Sequence, residues 1–336
     1  MLAGFAMDAR TALAAYLATW VAFASISIGA LGVVHMTYLV RRAWTEELHT
    51  ALMSAADLLP ICGVLFIPVL LGAAWIYPAA SDASALPAFK AVYLAPWFVA
   101  LRAVIYFVIW AVLVVMTKAA WGDQRRMNRV AAAGLIVLSL TVSLAGVDWL
   151  ESLNPEFHSS IYGLLFLTNT LLAGLAFSIA IALMSRNRIR ISRGYGGLLL
   201  GALLLWAYLH AMQYIVIWSA NIPAEVSWYL IRTSGPWGYI VTLLAVAQFL
   251  IPFFVLLIDS NRRNRTIVLV LCATTLVMRW FEMLVLALPD VPQLTPAILV
   301  FALAGASAFL SSILGSLYER GLGGDATAVR PAPAET

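Results

Sequence analysis

Long apolar runs alternate with short polar connections along almost the entire chain. Nine of these runs reach or exceed the roughly 20 residues that a helix needs to cross the hydrocarbon core of a bilayer. The pattern therefore predicts an all-α, polytopic transmembrane protein with about nine spans. The predicted spans cover residues 11–40, 51–77, 93–119, 130–150, 159–185, 196–219, 236–258, 266–288 and 296–317.

The composition agrees with this pattern and leaves no room for a soluble domain. The 336 residues are 63% hydrophobic and only 11% charged, whereas soluble domains carry about 25% charged residues. We expect one integral membrane domain over residues 1–320. The tail, residues 321–336, is rich in Gly, Ala and Pro and is expected to be disordered.

The basic residues predict the orientation of the chain in the membrane. Three of them, Arg10, Lys90 and Arg232, lie in one set of connections, and 15 lie in the alternate set. By the positive-inside rule the N-terminus is outside and the C-terminus is cytoplasmic. The net charge of +4 therefore reports topology and does not indicate nucleic-acid binding. The 15 are Arg41, Arg42, Lys118, Arg125, Arg126, Arg129, Arg186, Arg188, Arg190, Arg193, Arg262, Arg263, Arg265, Arg320 and Arg330.

A few polar side chains interrupt the apolar runs, and intramembrane ionisable residues are functional candidates because they are costly to keep in hydrocarbon. Two candidates, His35 and Asp57, lie toward the cytoplasmic side, and Gln248 lies near the middle of its span. The candidates toward the outer side are Arg102, Asp148, His210, Gln213, Arg279 and Glu282.

The spacing of these residues predicts specific pairs. Arg279 and Glu282 are three residues apart and share one helix face, which favours an internal ion pair. Arg102 and Asp148 fall at similar depth on neighbouring spans, so we expect a cross-helix pair. His35 and Asp57 are candidates for a proton path, because an imidazole and a partly buried carboxyl can titrate near neutral pH. A hydrogen-bonded core histidine is the alternative for His35.

Metal and haem sites are not expected in this chain. Two cysteines, Cys62 and Cys272, are too few for an iron–sulfur cluster or a zinc site, which take about four ligands. The four histidines are predicted at unmatched depths, so none can face another across a bundle as haem ligation requires. We therefore expect any redox centres to lie in partner subunits.

Six stretches of the chain form a recognisable set, namely Ser27–Leu31 followed by His35 and Arg42–Trp44, then Ala100–Phe107, Asp148–Pro155, Gln213–Pro223, Ile251–Leu257 and Arg279–Glu282. Together they resemble one family, the NrfD-like membrane subunits (ActF) of alternative complex III, a bacterial quinol:cytochrome c oxidoreductase. One departure falls in the loop after Asp148, where Asn154-Pro155-Glu156-Phe157 replaces the family's Asp-Pro-His-Trp and His158 follows one place late.

The resemblance implies two four-helix bundles with an extra helix, in the bacterial cytoplasmic membrane. It also implies a sister NrfD-like subunit, an iron–sulfur subunit, multihaem and monohaem cytochrome c subunits and, in some complexes, a terminal oxidase. The chain itself would bind no cofactor other than quinol, and would line a proton path (His35, Asp57, Asp148, Glu282) or a degenerate quinone pocket (Arg102, His210, Gln213, Gln248, Arg279).

Two other functions fit the same residues. The chain could be the quinol-binding subunit of a different NrfD-type oxidoreductase, with Asp148, His210 and Gln213 around the quinone head. It could also be a secondary transporter, because transporters place paired charges at mid-membrane. The sequence shows no inverted repeat of the kind that many transporters carry.

Overall fold

The computed structural model describes residues 9–40, 44–77, 88–184 and 193–290. The regular structure of these residues is helical, and they contain no strand. Eight helical segments in them are long and apolar enough to cross a membrane, which makes the chain a multi-pass membrane protein. They correspond in order to the first eight predicted spans, whereas span 296–317 and the tail lie outside the described residues. The eight segments are Ala9–Val40, Glu47–Leu71, Pro96–Ala119, Gln124–Leu153, Tyr162–Met184, Gly194–Ala220, Gly235–Leu257 and Arg265–Ala287.

Fourteen α-helices are numbered here in chain order, with a 3-10 turn at Glu151–Leu153 after α7 and a π-helix at Leu244–Leu250 between α11 and α12. They are α1 Ala9–Val40, α2 Trp44–Ala56, α3 Leu59–Leu71, α4 Ala73–Ile76, α5 Ala88–Tyr93, α6 Pro96–Ala119, α7 Gln124–Trp149, α8 Tyr162–Met184, α9 Arg193–Ala220, α10 Pro223–Thr233, α11 Gly235–Leu243, α12 Ile251–Leu257, α13 Asp259–Arg262 and α14 Arg265–Ala287.

Local sequence signals set the helix starts. The side chain of Asp123 accepts hydrogen bonds from the backbone N–H groups of Arg125 and Arg126, which caps α7. Asn264 caps α14 in the same way. Such caps satisfy N–H groups that have no partner within the helix. Pro96 and Pro223 stand in the first turns of α6 and α10, where a missing N–H costs nothing.

The eight spans pack as two groups of four. In the first group α1, α3, α6 and α7 pack on one another in a closed ring, and in the second α8, α9, the segment from α11 to α12, and α14 do the same. The groups meet mainly where α8 packs on α1, with further contacts from α7 and α14. Accordingly α1 and α8 are the two most buried spans.

Two glycines allow α1 and α8 to approach backbone to backbone. A Cβ atom built on Gly29 would lie 1.7 Å from the carbonyl oxygen of Thr170, and one on Gly174 would lie 2.2 Å from the backbone nitrogen of Ala30. Neither position can hold a larger residue without separating the helices. Small residues at helix crossings are typical of membrane proteins, because close approach maximises van der Waals contact.

The seventh span changes its winding at mid-membrane. The π-helix Leu244–Leu250 ends two residues before Pro252. Pro252 has no N–H to donate, and in a regular helix its ring would clash with the carbonyl of Gln248, four residues earlier. The wider π turn relieves this clash. It also turns Gln248 into the interior, where its side chain is fully buried. Single π turns inside helices are frequent at functional sites.

Candidate functional site

The second helical group contains a cavity of about 300 Å³ near the predicted outer ends of its helices. Its walls are mostly apolar and aromatic, with a few polar groups that converge on the space. This composition is typical of a site for a small, largely apolar molecule with a polar head. The lining residues are Tyr162, Leu165, Phe166, Asn169, Trp206, His210, Gln213, Tyr214, Trp228, Tyr229, Arg232, Thr233, Val241, Leu244, Ala245, Glu282, Val285 and Leu286.

Glu282 lines the cavity, and its carboxylate has more side-chain partners than any other among the described residues. Its Oε1 accepts hydrogen bonds from Asn169 Nδ2 at 3.1 Å and Trp206 Nε1 at 3.2 Å, and lies 2.8 Å from His210 Nε2. Its Oε2 pairs with Arg279. A buried carboxylate needs such partners because its desolvation is costly. Helices α8, α9 and α14 each contribute to this coordination.

Both ring nitrogens of His210 face hydrogen-bond acceptors. His210 Nδ1 lies 3.0 Å from the carbonyl oxygen of Trp206, which can only accept, so Nδ1 carries a hydrogen. His210 Nε2 faces the carboxylate of Glu282, which also accepts when ionised. A ring with a hydrogen on both nitrogens would donate to both acceptors, with one proton held between Nε2 and the carboxylate. A third of the His210 side chain is exposed, toward the cavity that it lines.

Arg279 lies behind Glu282 and holds it in place. Its Nη1 donates to Asn169 Oδ1 at 2.6 Å, and its guanidinium carbon lies 4.7 Å from the centre of the Trp206 ring. Asn169 therefore bridges the two charged groups, donating to Glu282 and accepting from Arg279. The predicted ion pair within α14 is confirmed. It also belongs to a hydrogen-bond network that joins α8, α9 and α14.

Helix α10 forms the roof of the cavity and is fastened by Arg232. The guanidinium of Arg232 pairs with Asp290 at 2.5 Å, donates to the carbonyl of Leu286 at 3.0 Å and lies 3.7 Å from the Trp228 ring centre. The ring of Phe157 stacks on the same Trp228 ring, with 4.4 Å between the two ring centres. The loop after α7 thus braces the roof.

Tyr229 adds a hydroxyl to the cavity from the same helix. Burial raises the pKa of Tyr229 above its ordinary value, so this hydroxyl remains a hydrogen-bond donor at neutral pH. Gln213 lines the cavity beside it and is 3% exposed, and its Oε1 has no hydrogen-bond partner among the described residues. These two groups can bind a polar ligand atom at a position away from the His210–Glu282 pair.

The first helical group carries a separate polar cluster at its outer end. Two nitrogens of Arg102 donate to Asp148 at 2.8 and 2.9 Å, as the depth of the two residues predicted. Tyr106 donates to the same carboxylate at 2.8 Å, and Arg102 also donates to the carbonyl of Tyr93. The void next to Asp148 measures only about 10 Å³. This cluster is a closed clamp between α6 and α7.

The two inner candidates, His35 and Asp57, pair with the neighbouring residues Thr117 and Lys118 of α6. Asp57 pairs with Lys118 at 2.6 Å, with both side chains partly exposed. His35 is fully buried, and its Nε2 lies 2.9 Å from Thr117 Oγ1. Thr117 donates to the Leu113 carbonyl, so its oxygen accepts from His35. This is the hydrogen-bonded core histidine that was the alternative reading.

Aromatic rings occupy the interior of the first group between its inner and outer polar residues. Trp149 lies 5.0 Å from Trp20, 5.0 Å from Phe66 and 5.9 Å from Trp110, measured between ring centres. Trp110 stands on α6 between Tyr106 on the outer side and Thr117 on the inner side. Proton transfer from His35 to Asp148 would have to pass this packed layer.

The structure therefore separates the residues that the sequence grouped together. His210, Gln213 and Glu282 line the cavity and Arg279 supports it, whereas Arg102 and Asp148 form the clamp of the first group. His35 and Asp57 lie toward the opposite membrane surface from this cavity. Gln248 is buried deeper than the cavity and does not line it.

Several cavity residues were missed by the sequence reasoning, among them Asn169, Trp206, Tyr229 and Arg232. Asn169 and Trp206 look like ordinary residues of apolar spans, and only the packing of α8 and α9 against α14 shows their role. Arg232 did carry a signal, since it is one of only three basic residues on the predicted outer side.

Comparison with protein-family models and with curated proteins gives no match to this chain. The family resemblance described above therefore stays a prediction. Within the part of the chain that the structure describes, no three His, Cys, Asp or Glu side chains are grouped so as to hold a metal ion.

Proposed function

We propose that this chain is an integral membrane subunit of a quinol-oxidising respiratory complex and that the cavity of its second helical group binds the quinone head. The observation that carries the proposal is the His210–Glu282 pair at the edge of a mostly apolar cavity. The resemblance to NrfD-like subunits of alternative complex III supplies the class of complex. Haem and iron–sulfur centres would belong to partner subunits.

The cavity matches a quinone head in both size and chemistry. A quinone is a flat apolar ring with two oxygens at opposite ends, and it enters from the hydrocarbon phase. The cavity offers the His210–Glu282 pair to one oxygen, and Gln213 and Tyr229 to the other. Its aromatic walls, among them Phe166, suit the ring faces.

The shared proton gives the site its chemistry. When the His210–Glu282 pair has lost its proton, it can take one from a quinol hydroxyl, whose O–H bond breaks as the electrons pass to a redox centre of a partner subunit. A positioned acid–base group of this kind contributes a factor of roughly 10² to 10⁴ to the rate. Arg279 stays charged and holds the carboxylate of Glu282 beside His210.

A photoreactive quinone can test the site in the complex purified from native membranes in mild detergent. We expect the label to map to peptides of α9 and α10. Val241→Phe fills the cavity without touching the His210–Glu282 pair and should abolish this labelling. Val246→Phe is the matched control, because Val246 is 39% exposed and does not line the cavity.

Two results would count against the proposal. Labelling that is equal in the two variants would show that the quinone binds elsewhere. A chain that purifies alone, without haem c absorbance, would remove it from a quinol:cytochrome c complex. Uptake of a solute by vesicles that contain only this chain would instead favour the transporter function.

A further inference from the structure

A second set of polar groups lies inside the second helical group, deeper than the cavity. Gln248, on the π-helix, is fully buried, and both its Oε1 and its Nε2 lack a hydrogen-bond partner among the described residues. Thr275, on α14, is also fully buried, and its Oγ1 lacks a partner there. Polar groups of this kind are rare in native interiors, where nearly all are hydrogen-bonded to protein or water.

The packing register brings these two residues to the same depth. Leu244 of the π-helix and Met278 of α14 belong to one buried cluster, and the two elements are in contact. Gln248 stands one turn from Leu244 toward the cytoplasmic end, and Thr275 stands one turn from Met278 in the same direction. Because the two elements run antiparallel, both polar residues fall one turn below residues of the same cluster.

Arg279 adds donors to this position. It lies one turn above Thr275 on the buried face of α14, and only its Nη1 is engaged, with Asn169 and Glu282. Its Nε and Nη2 have no partner among the described residues. Two elements thus present five unpartnered atoms to one region: two of Gln248, one of Thr275 and two of Arg279.

Five such atoms are too many to leave unsatisfied, because every buried polar group without a hydrogen-bond partner destabilises the folded protein. The ligand that satisfies them must both accept hydrogen bonds, from Arg279, and donate them, to the oxygen of Gln248. It does not have to carry a charge, because Arg279 already forms an ion pair with Glu282. Water meets all three conditions, and buried waters commonly make about three hydrogen bonds each.

We infer that Gln248, Thr275 and Arg279 form a site for bound water at mid-membrane. Through Arg279 this site adjoins Glu282 from the side opposite the cavity. It gives the proton shared by His210 and Glu282 a route of exchange that does not cross the quinone head. The water site itself does not depend on the proposed function, whereas this consequence rests on it.

Radiolytic footprinting in the purified complex tests the site, because brief X-ray irradiation makes hydroxyl radicals from bound water that oxidise nearby side chains. Met278 stands one turn from Thr275 and next to Arg279. Met283 is a matched control on the same helix, since both residues are buried, at 6% and 1% exposure. We expect Met278 to be oxidised several-fold faster than Met283.

Three variants test whether the oxidation of Met278 comes from the proposed bound water or from water in the cavity. The Gln248→Leu, Thr275→Val double variant should reduce Met278 oxidation to the level of Met283. Val241→Phe, which fills the cavity, should leave Met278 oxidation unchanged. The Val246→Phe protein serves as the control for assembly, and thermal unfolding checks that each variant is folded.

Several outcomes would overturn the inference. Equal, slow oxidation of Met278 and Met283 in the unmodified protein would show a dry interior. Loss of Met278 oxidation in the Val241→Phe variant would assign the water to the cavity. Suppression of Met278 oxidation by millimolar sulfate, with saturation, would assign the site to an anion. None of these outcomes bears on quinone labelling, so the two proposals fail separately.

Discussion

His210 Nε2 lies 2.8 Å from Glu282 Oε1, while the other ring nitrogen of His210 faces a backbone carbonyl oxygen 3.0 Å away. An imidazole between two acceptors satisfies both of them only when both of its nitrogens carry a hydrogen. This geometry distinguishes the second helical group from the first, where Asp148 is held by Arg102 and Tyr106 with no histidine among the bonded partners.

Neutralising each buried carboxylate should therefore have different effects in the two groups. We expect Glu282→Gln to lower quinol-dependent turnover of the complex by about 100-fold, the size of a lost acid–base contribution. Asp148→Asn, at a comparable depth, should lower the melting temperature but change turnover less than threefold. Steady-state kinetics and thermal unfolding of both variants measure this. Equal losses of turnover would indicate that both carboxylates act only on folding.

The roof of the cavity predicts a contrast between two arginine–aspartate pairs. Arg232 is 2% exposed and pairs with Asp290, so Arg232→Ala should cost about 3–5 kcal/mol by leaving a buried carboxylate unpaired. Arg263 pairs with Asp259 at the predicted cytoplasmic surface, where both side chains are more than 40% exposed. Arg263→Ala should cost about 0–1 kcal/mol.

Thermal unfolding in detergent compares these two variants directly. Quinone release from the Arg232→Ala protein should also be faster, because α10 loses its attachment to the end of α14. A stable Arg232→Ala protein with normal quinone release would show that Arg232 does not fasten the roof.

The crossing of α1 and α8 predicts a large effect from a single methyl group. Gly29→Ala places a Cβ atom against the Thr170 carbonyl, and we expect a loss of about 1–3 kcal/mol from overpacking. Gly201→Ala is the control, because a Cβ there meets no atom within 4 Å and alanine favours the helix by about 1 kcal/mol. Thermal unfolding should shift down for the first variant and stay level or rise for the second. The reverse order would place the close crossing elsewhere.

Breaking the Asp57–Lys118 ion pair should affect proton transfer but have little effect on stability. Asp57 and Lys118 are partly exposed, so Asp57→Asn should change stability by no more than about 1 kcal/mol. If the complex moves protons through Asp57, this variant should lower the ratio of protons to electrons during turnover. A ratio equal to that of the unmodified complex would remove Asp57 from the proton path.

The sequence by itself determined the class of the protein and much of its local structure. Apolar run length placed the eight described spans, because backbone groups in hydrocarbon must be satisfied within helices. Helical spacing gave the Arg279–Glu282 pair, and matched depth gave the Arg102–Asp148 pair. These are one-dimensional features, since depth along a membrane helix can be counted in residues.

The tertiary structure alone decided which polar residues meet. Depth does not specify which helix lies beside which, so the sequence placed Asp148 and Glu282 on one path although they belong to different helical groups. Only the packing of α8 and α9 against α14 brings Asn169 and Trp206 to Glu282. The rotation of Gln248 into the interior likewise depends on the π turn before Pro252, and helical periodicity gave no indication of that turn. Lateral neighbours and local rewinding are properties of three-dimensional packing, and it is packing that made the candidate site.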